Sequence, residues 1–412
     1  MAGVFSGVRQ LSMAVAGWAI LSGFAQAEFT PIAGWDNQLF PSYLVTTATI
    51  RLPEQETDDD AAEGDTQRLG DRQGVLGVRI ESPGAGIPVT VTITGDAILE
   101  PSTFEGTLEE EGATYDIFPQ IKYKYNVLTK NKQSVPVTVT FSVVMGDESE
   151  DDTEEQTATI TLRSVNDCPF YIYHGDDMTD VSFVFAGYVN EQHPFVDKVL
   201  REALNSDIVD SFTGYQSGDT NEVYRQVYAL WNALSDRDVR YSDITTSAAE
   251  NPIISSQHVR LIDESINNSQ ANCVDGSVLF ASLLRKINIE PVLIFLPTHC
   301  YLGFYLDAEQ KQLVALETTL IGSVADDDAT REIDGADGVV DEKWKKTNSW
   351  ATFCAAIAMG NEDLYETNAD KFNKDDPGYQ TLSIAAARRQ GILPIAFDSN
   401  EKFESATPVD EE

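Results

Sequence analysis

Cys273 and His299 lie 26 residues apart in the run NCVDGSVLFASLLRKINIEPVLIFLPTHC, and together they could supply a nucleophile and its base. The chemistry would be attack on a carbonyl. A thiolate forms the new bond, an imidazole carries the proton, and a carboxylate fixes the tautomer of the imidazole. Two acids compete for that third place. Asp307 stands eight positions beyond His299, about 25 Å along a strand rising about 3.3 Å per residue, too far to orient the ring. Glu317 returns level with His299 if HCYLGFYL and KQLVALETT form a hairpin whose turn is 307–309. That register predicts His299 opposite Glu317 and Tyr301 opposite Ala315, with Cys300, Leu302 and Phe304 on the other face. A slip of one residue would turn Glu317 away.

The element that must position the cysteine is a helix. Asn272 is a good N-cap, and Asp275 falls in the first turn, where negative charge suits the helix dipole. Gly276, Phe280, Leu283, Leu284 and Ile287 share one face, with Cys273 a turn earlier on the same stripe. A thiolate at that tip is stabilised by free backbone N–H groups. The commoner role of a free cysteine is a small buried hydrophobe, and helix position alone does not overturn it. For an oxyanion the Cys273 N–H is the default donor. Gln270 and Asn272 are side-chain candidates, although a glutamine at the position of Gln270 is more often an ordinary loop residue. His174, His193 and His258 have no cysteine at comparable spacing and read as structural. A metal shared by Cys273, His299 and Cys300 is disfavoured, because neighbours on a strand point to opposite faces. No metal or organic cofactor is expected.

Around this segment the chain divides by pattern. Residues 1–27 carry Arg9, the apolar run LSMAVAGWAILSGF and Ala25-Gln26-Ala27, which predicts a signal peptide cleaved after Ala27 and a secreted or periplasmic product. Over 28–165, YLVTTATIRL, GVLGVRI, IPVTVTITG, IKYKYNVL, SVPVTVTFSVVMG and QTATITLRSV read as strands between turn clusters, predicting an all-β sandwich of immunoglobulin-like type. No chemistry is evident in it. The pattern changes near Asn166-Asp167-Cys168-Pro169, and an α+β domain is expected over 169–400. Within it NEVYRQVYALWNALSDRDVRYS is an amphipathic helix running into an extended VRYS, with Val223, Val227, Leu230, Trp231 and Leu234 on one face. TLSIAAARRQ is read as the last helix, stopped by Gly391, and 401–412 as an acidic disordered tail.

With 42% apolar residues the chain can bury a real core without disulfides. Its net charge of −39 repels phosphate backbones and anionic lipid, which disfavours nucleic-acid and membrane-surface partners. No apolar stretch after the leader is long enough to insert in a membrane. Much of the acid lies in runs such as 57–65, 147–156 and 325–338, which read as solvated loops. The aspartate spacing in 325–338 does not match a twelve-residue calcium loop. Among the four cysteines no CxxC pair occurs, and Cys168 with Cys354 is the first choice for a disulfide.

A cysteine opening a helix, the passage ASLLRKINIEP, a histidine on the following strand and LETT closing the next together resemble the transglutaminase-like superfamily. ALWNALSDRDVRYS is similar to the helix and strand preceding the cysteine in that family, while WATFCAAIAMG and YQTLSIAAARRQGILPI look like the tail of an exported bacterial subgroup. The resemblance covers roughly 165–395. It implies a papain-like core with Cys273 as nucleophile, His299 as base and Glu317 in place of the usual aspartate. The implied activity is acyl transfer from amides of a protein or peptide substrate to water or to an amine acceptor, with hydrolysis favoured. Cys300 stands where a small residue is usual after the histidine. The alternative class is a catalytically silent binding or scaffold protein that keeps the fold.

Overall fold

The computed structural model describes residues 29–50, 66–146, 153–175, 177–243, 251–326, 329–374, 376–397 and 402–403. The expected leader, the acidic runs 57–65 and 147–152 and most of the tail lie outside the described residues. Of that tail Lys402 and Phe403 are described and ordered. The Lys402 carbonyl accepts from Asn267 Nδ2 at 2.9 Å, and the Phe403 ring lies 4.3 Å from the Arg237 guanidinium. The architecture is α+β, in two compact units: Met1–Val45, Ile50–Val181 and Glu250–Ser256, then Thr46–Thr49, Ser182–Ala249 and Gln257–Glu412. The first unit thus runs past the composition change at 166–169.

The strands of the first unit follow from alternation. In Val135–Met145 the side chains of Val137, Val139, Phe141, Val143 and Met145 are buried, and the residues between them are more exposed. That strand lies in a six-stranded sheet ordered Gln38–Leu39, Glu154–Leu162, Val135–Met145, Ile87–Gly95, Leu99–Leu108, Lys122–Tyr123. A four-stranded sheet runs Phe29–Ala33, Leu76–Glu81, Thr114–Phe118, Gln67–Gly70. Two expected strands are corrected. Pro41–Thr46 is helical, with proline pre-set for the first turn. In IKYKYNVL only Lys122–Tyr123 pairs, and Tyr125–Leu128 turns into a helix whose Tyr125 carbonyl accepts both the N–H and the hydroxyl of Thr129.

In the second unit α1 (Thr220–Asp236) begins at the N-cap Asp219 and buries all five residues of its predicted face. It leads into β1 (Arg240–Tyr241), which pairs in parallel with β2 (Gln270–Ala271). Directly after β2 comes α2 (Cys273–Lys286). β3 (Pro291–Leu296), β4 (His299–Tyr305) and β5 (Leu313–Leu316) form an antiparallel meander. Beyond them lie α3 (Asn348–Glu362) and β6 (Gln380–Ser383), giving a sheet ordered β5-β4-β3-β6. TLSIAAARRQ is corrected in part: its start is β6, and only Ile384–Arg389 is helical, because Thr381 and Leu382 pair with Ile294 and Leu293.

The predicted stripe on α2 understates its burial. Every residue from Val274 to Leu284 is buried, so α2 is the central helix of the unit, and its polar members must find partners inside. Ser277 Oγ donates to the Cys273 carbonyl at 2.7 Å, and Ser282 Oγ accepts the Asn190 N–H at 2.9 Å. Trp231 of α1 is fully buried with ring centroids 6.1 Å from Phe280 of α2 and 5.7 Å from Phe353 of α3, and its Nε1 donates to Thr352 Oγ1. Gly360 lets α3 lie on β5: a Cβ there would stand 2.8 Å from the Ala315 carbonyl carbon and 2.9 Å from the Leu316 nitrogen. That close approach lets the Ala356 carbonyl accept the Glu317 N–H at 3.0 Å.

Candidate active site

The N-terminus of α2 is closed by a reciprocal capping box. Asn272 Oδ1 accepts the Asp275 N–H at 2.8 Å, and Asp275 Oδ2 accepts the Asn272 N–H at 2.9 Å. This fixes the turn that carries Cys273, the only partly exposed thiol of the four. As the first helical residue, Cys273 has an N–H with no intrahelical acceptor. Of the two side-chain oxyanion candidates, Gln270 is exposed on β2. Asn272 is buried, with Nδ2 lacking a hydrogen-bond partner.

His299 opens β4 after the two-residue turn Pro297-Thr298, with Leu296 as its cross-strand partner. Its Nε2 stands 2.7 Å from Glu317 Oε2. The expected contact is therefore present, but the expected register is corrected. Gly303, not Tyr301, faces Ala315, a shift of two residues. The turn is longer than 307–309: Leu306 N–H reaches the Gln312 carbonyl, and Asp307 accepts the N–H groups of Lys311 and Gln312. An even shift preserves the face of every side chain, and so Glu317 still points at His299. It does so from a diagonal position, where the separation is about 7–8 Å between backbones. The extra methylene of glutamate over aspartate suits that span.

Glu317 is fully engaged. Its other oxygen, Oε1, accepts the Thr319 N–H at 2.9 Å and the Thr319 hydroxyl at 2.7 Å. Burial works to raise the carboxyl, but the hydrogen bond and charge of His299, with the Thr319 contacts, hold it below its ordinary value. His299 is pushed up to about 10 by hydrogen bonds first with Cys273 and then with Glu317, against the effect of burial. With Nε2 committed to Glu317, Nδ1 is the nitrogen left for the thiol. The Tyr301 ring stacks on the imidazole at 5.9 Å and is itself held by Asp363 through a 2.9 Å hydrogen bond. The three predicted residues Cys273, His299 and Glu317 are thus brought together.

Three neighbours escaped sequence reasoning. Tyr241 is 48% exposed and sits beside Cys273 and Glu317, whose charges, after burial, raise its phenol. The parallel pairing of Tyr241 with Ala271 places it there, and the extended VRYS was the available signal. Thr319 could have been read from LETT. Arg260, which bonds Asp275, carries no local signature. The other cysteines are corrected as a pair: Cys168 and Cys354 are free, each fully buried in the core of its own unit. His193 caps the helix Pro194–Asn205 by accepting the Phe195 N–H. Among the described residues no group of three His, Cys, Asp or Glu could hold a metal ion, and no helix is long and apolar enough to cross a membrane.

The shifts of the His299–Glu317 pair set a pH window for stability. The raised histidine contributes fully below its ordinary 6.5, and the contribution is lost as pH rises through about 10. The depressed carboxyl contributes above its ordinary 4.5 and loses the contribution as pH falls through its lower folded value. The difference in Tm between wild type and His299→Gln, followed by calorimetry, should be largest between about pH 5 and 6 and should shrink steadily toward pH 10. A difference constant from pH 5 to 10 would contradict the assignment.

A scan against protein-family models finds no match to this chain, and a search of curated proteins finds none.

Proposed function

We propose that this chain is an exported transglutaminase-like cysteine enzyme that cleaves amide bonds of proteins or peptides, with hydrolysis favoured over transfer to an amine. The observation that carries the reading is His299 held between the Cys273 thiol and the buried Glu317 carboxylate, with the 2.7 Å bond to Nε2. That order matches the roles needed for acyl transfer by a thiol.

Nδ1 of His299 takes the thiol proton, and the sulfur attacks the amide carbon. The carbonyl oxygen becomes an oxyanion beside the Cys273 N–H. The C–N bond then breaks as the imidazolium protonates the leaving nitrogen, leaving a thioester. Water, or an amine, gives its proton to His299 while its oxygen or nitrogen attacks the thioester. Collapse returns the thiol proton and frees the acid or the new amide. Glu317 stays ionised throughout and supports the imidazolium. The strand-rich first unit, of immunoglobulin-like type in this reading, serves as a spacing or binding module, and the leader pattern at 1–27 supports export.

Treatment with iodoacetamide at pH 6 tests the reading. An ordinary thiol, ionising near 8.5, is only about 0.3% thiolate there. Cys273, located by mass spectrometry, should be labelled at least about tenfold faster than the cysteine of a short peptide blocked at both ends. Labelling at the ordinary rate would leave a binding protein that keeps the fold.

A further inference from the structure

At the N-terminal turn of α2 lies a buried ion pair that the catalytic steps do not use. Asp275 has no exposed surface. Its Oδ1 accepts the backbone N–H of Arg260 at 2.7 Å, and Oδ2 accepts from Arg260 Nη1 at 2.6 Å as well as from the Asn272 N–H. Arg260 is itself nearly buried and comes from the segment before the helix Ile262–Asn268, not from α2. A capping box needs only the acceptor on residue 275. It does not need an arginine brought from another segment with both its backbone and its guanidinium.

The second partner answers an electrostatic problem. A carboxylate folded back onto residue 272 lies in the first turn of the helix, two residues along the chain from a sulfur that must become an anion. Burial pushes the Asp275 carboxyl above its ordinary value, and the Asn272 and Arg260 contacts work against that. Ionised but unbalanced, it would oppose the ionisation of the sulfur and cancel the benefit of the helix terminus. The other titratable groups that interact with Cys273 are His299 and Cys300 from β4 and Tyr241 on β1, and behind them Glu317 acts on all three and Asp243 on Tyr241. Arg240, also on β1, is engaged by Asp238. We infer that Arg260 and Asp275 are positioning residues for Cys273: the carboxylate locks the helix tip, and the guanidinium cancels its charge beside the reacting sulfur. The inference rests on Cys273 being the nucleophile.

The test measures iodoacetamide labelling of Cys273 in the full chain as a function of pH, with Tm and circular dichroism recorded for each variant. At an effective dielectric of about 20, an unbalanced charge about 8 Å away moves an ionisation by about 1.5 pH units. Arg260→Gln should therefore raise the half-maximal pH of the acidic limb by about one unit. Asp275→Asn should not raise it, and the double variant should restore the wild-type position. A packing role alone predicts slower labelling in both single variants with the limb unmoved, and that result overturns the inference. So does an upward shift in Asp275→Asn equal to that in Arg260→Gln. If Arg260→Gln does not fold, Arg260→Lys keeps the charge while losing the fork geometry. Its limb should stay at the wild-type pH, and an upward shift there counts against charge cancellation. A wild-type profile with the single ionisation of an ordinary thiol removes the nucleophile and the inference together, whereas a fast wild type with unmoved variants removes the inference alone.

Discussion

Glu317→Gln is expected to lower the rate of Cys273 alkylation at pH 6 by about 10- to 100-fold and to be more damaging than Glu317→Ala. The reason is the direction in which the new amide must point. Oε1 of Glu317 accepts two hydrogen bonds, from the Thr319 N–H and the Thr319 hydroxyl. Glutamine can keep its oxygen there only by turning Nε2 toward His299. The opposite orientation would face an N–H donor with another donor. An amide N–H aimed at His299 Nε2 makes that nitrogen an acceptor and forces the ring proton onto Nδ1, the side that must receive the thiol proton. The imidazole is then in the wrong tautomer to act as base. Alanine removes the carboxylate but leaves the ring free to take either tautomer, so it should retain more of the rate. Rates measured for both variants at pH 6 decide the point: glutamine equal to wild type would remove Glu317 from the site, and alanine slower than glutamine would remove the tautomer argument.

The same residue shows how far sequence pattern reaches. The face on which Glu317 lies was legible, because a strand alternates with a period of two and a shift of two residues leaves the face intact. The register was not legible. It is set by the five-residue turn in which the Asp307 carboxylate accepts the N–H groups of Lys311 and Gln312, and those local bonds leave no mark on the strand pattern. The helix carrying Cys273 was legible from Asn272 and the apolar positions after it. Its burial on all sides depends on β3, β4, α1 and the segment bearing Arg260, which are tertiary neighbours. Pro41–Thr46 and Tyr125–Leu128 failed for a related reason. Their β-branched and aromatic residues match strand composition, while the hydrogen bonds that close their turns leave no periodic trace. Tyr241 reaches the site through a two-residue strand, too short for any pattern to register.

His299→Ala should slow alkylation of Cys273 by about 10- to 300-fold at pH 6, and the effect should vanish and then invert as pH rises. Without the imidazole the sulfur loses the partner that accepts its proton. An ordinary thiol is about 0.3% ionised at pH 6 and about half ionised at 8.5, so the upper limit of the effect is about 300-fold at the first pH and about twofold at the second. The lower limit reflects nucleophilicity: a thiolate stabilised by a neighbouring imidazolium is a weaker nucleophile than a free one, which offsets part of its greater abundance. In wild type the imidazolium persists well above neutrality, since His299 is pushed up to about 10, so its labelling rate should be nearly flat between pH 6 and 8.5. The variant rate should climb tenfold per pH unit over most of that range and overtake wild type near its upper end. A crossover of this kind separates an ion-paired nucleophile from a thiol that is merely more accessible, because greater access would multiply the rate equally at every pH. Parallel profiles for wild type and His299→Ala would therefore rule out the Cys273–His299 partnership, whatever the absolute rates.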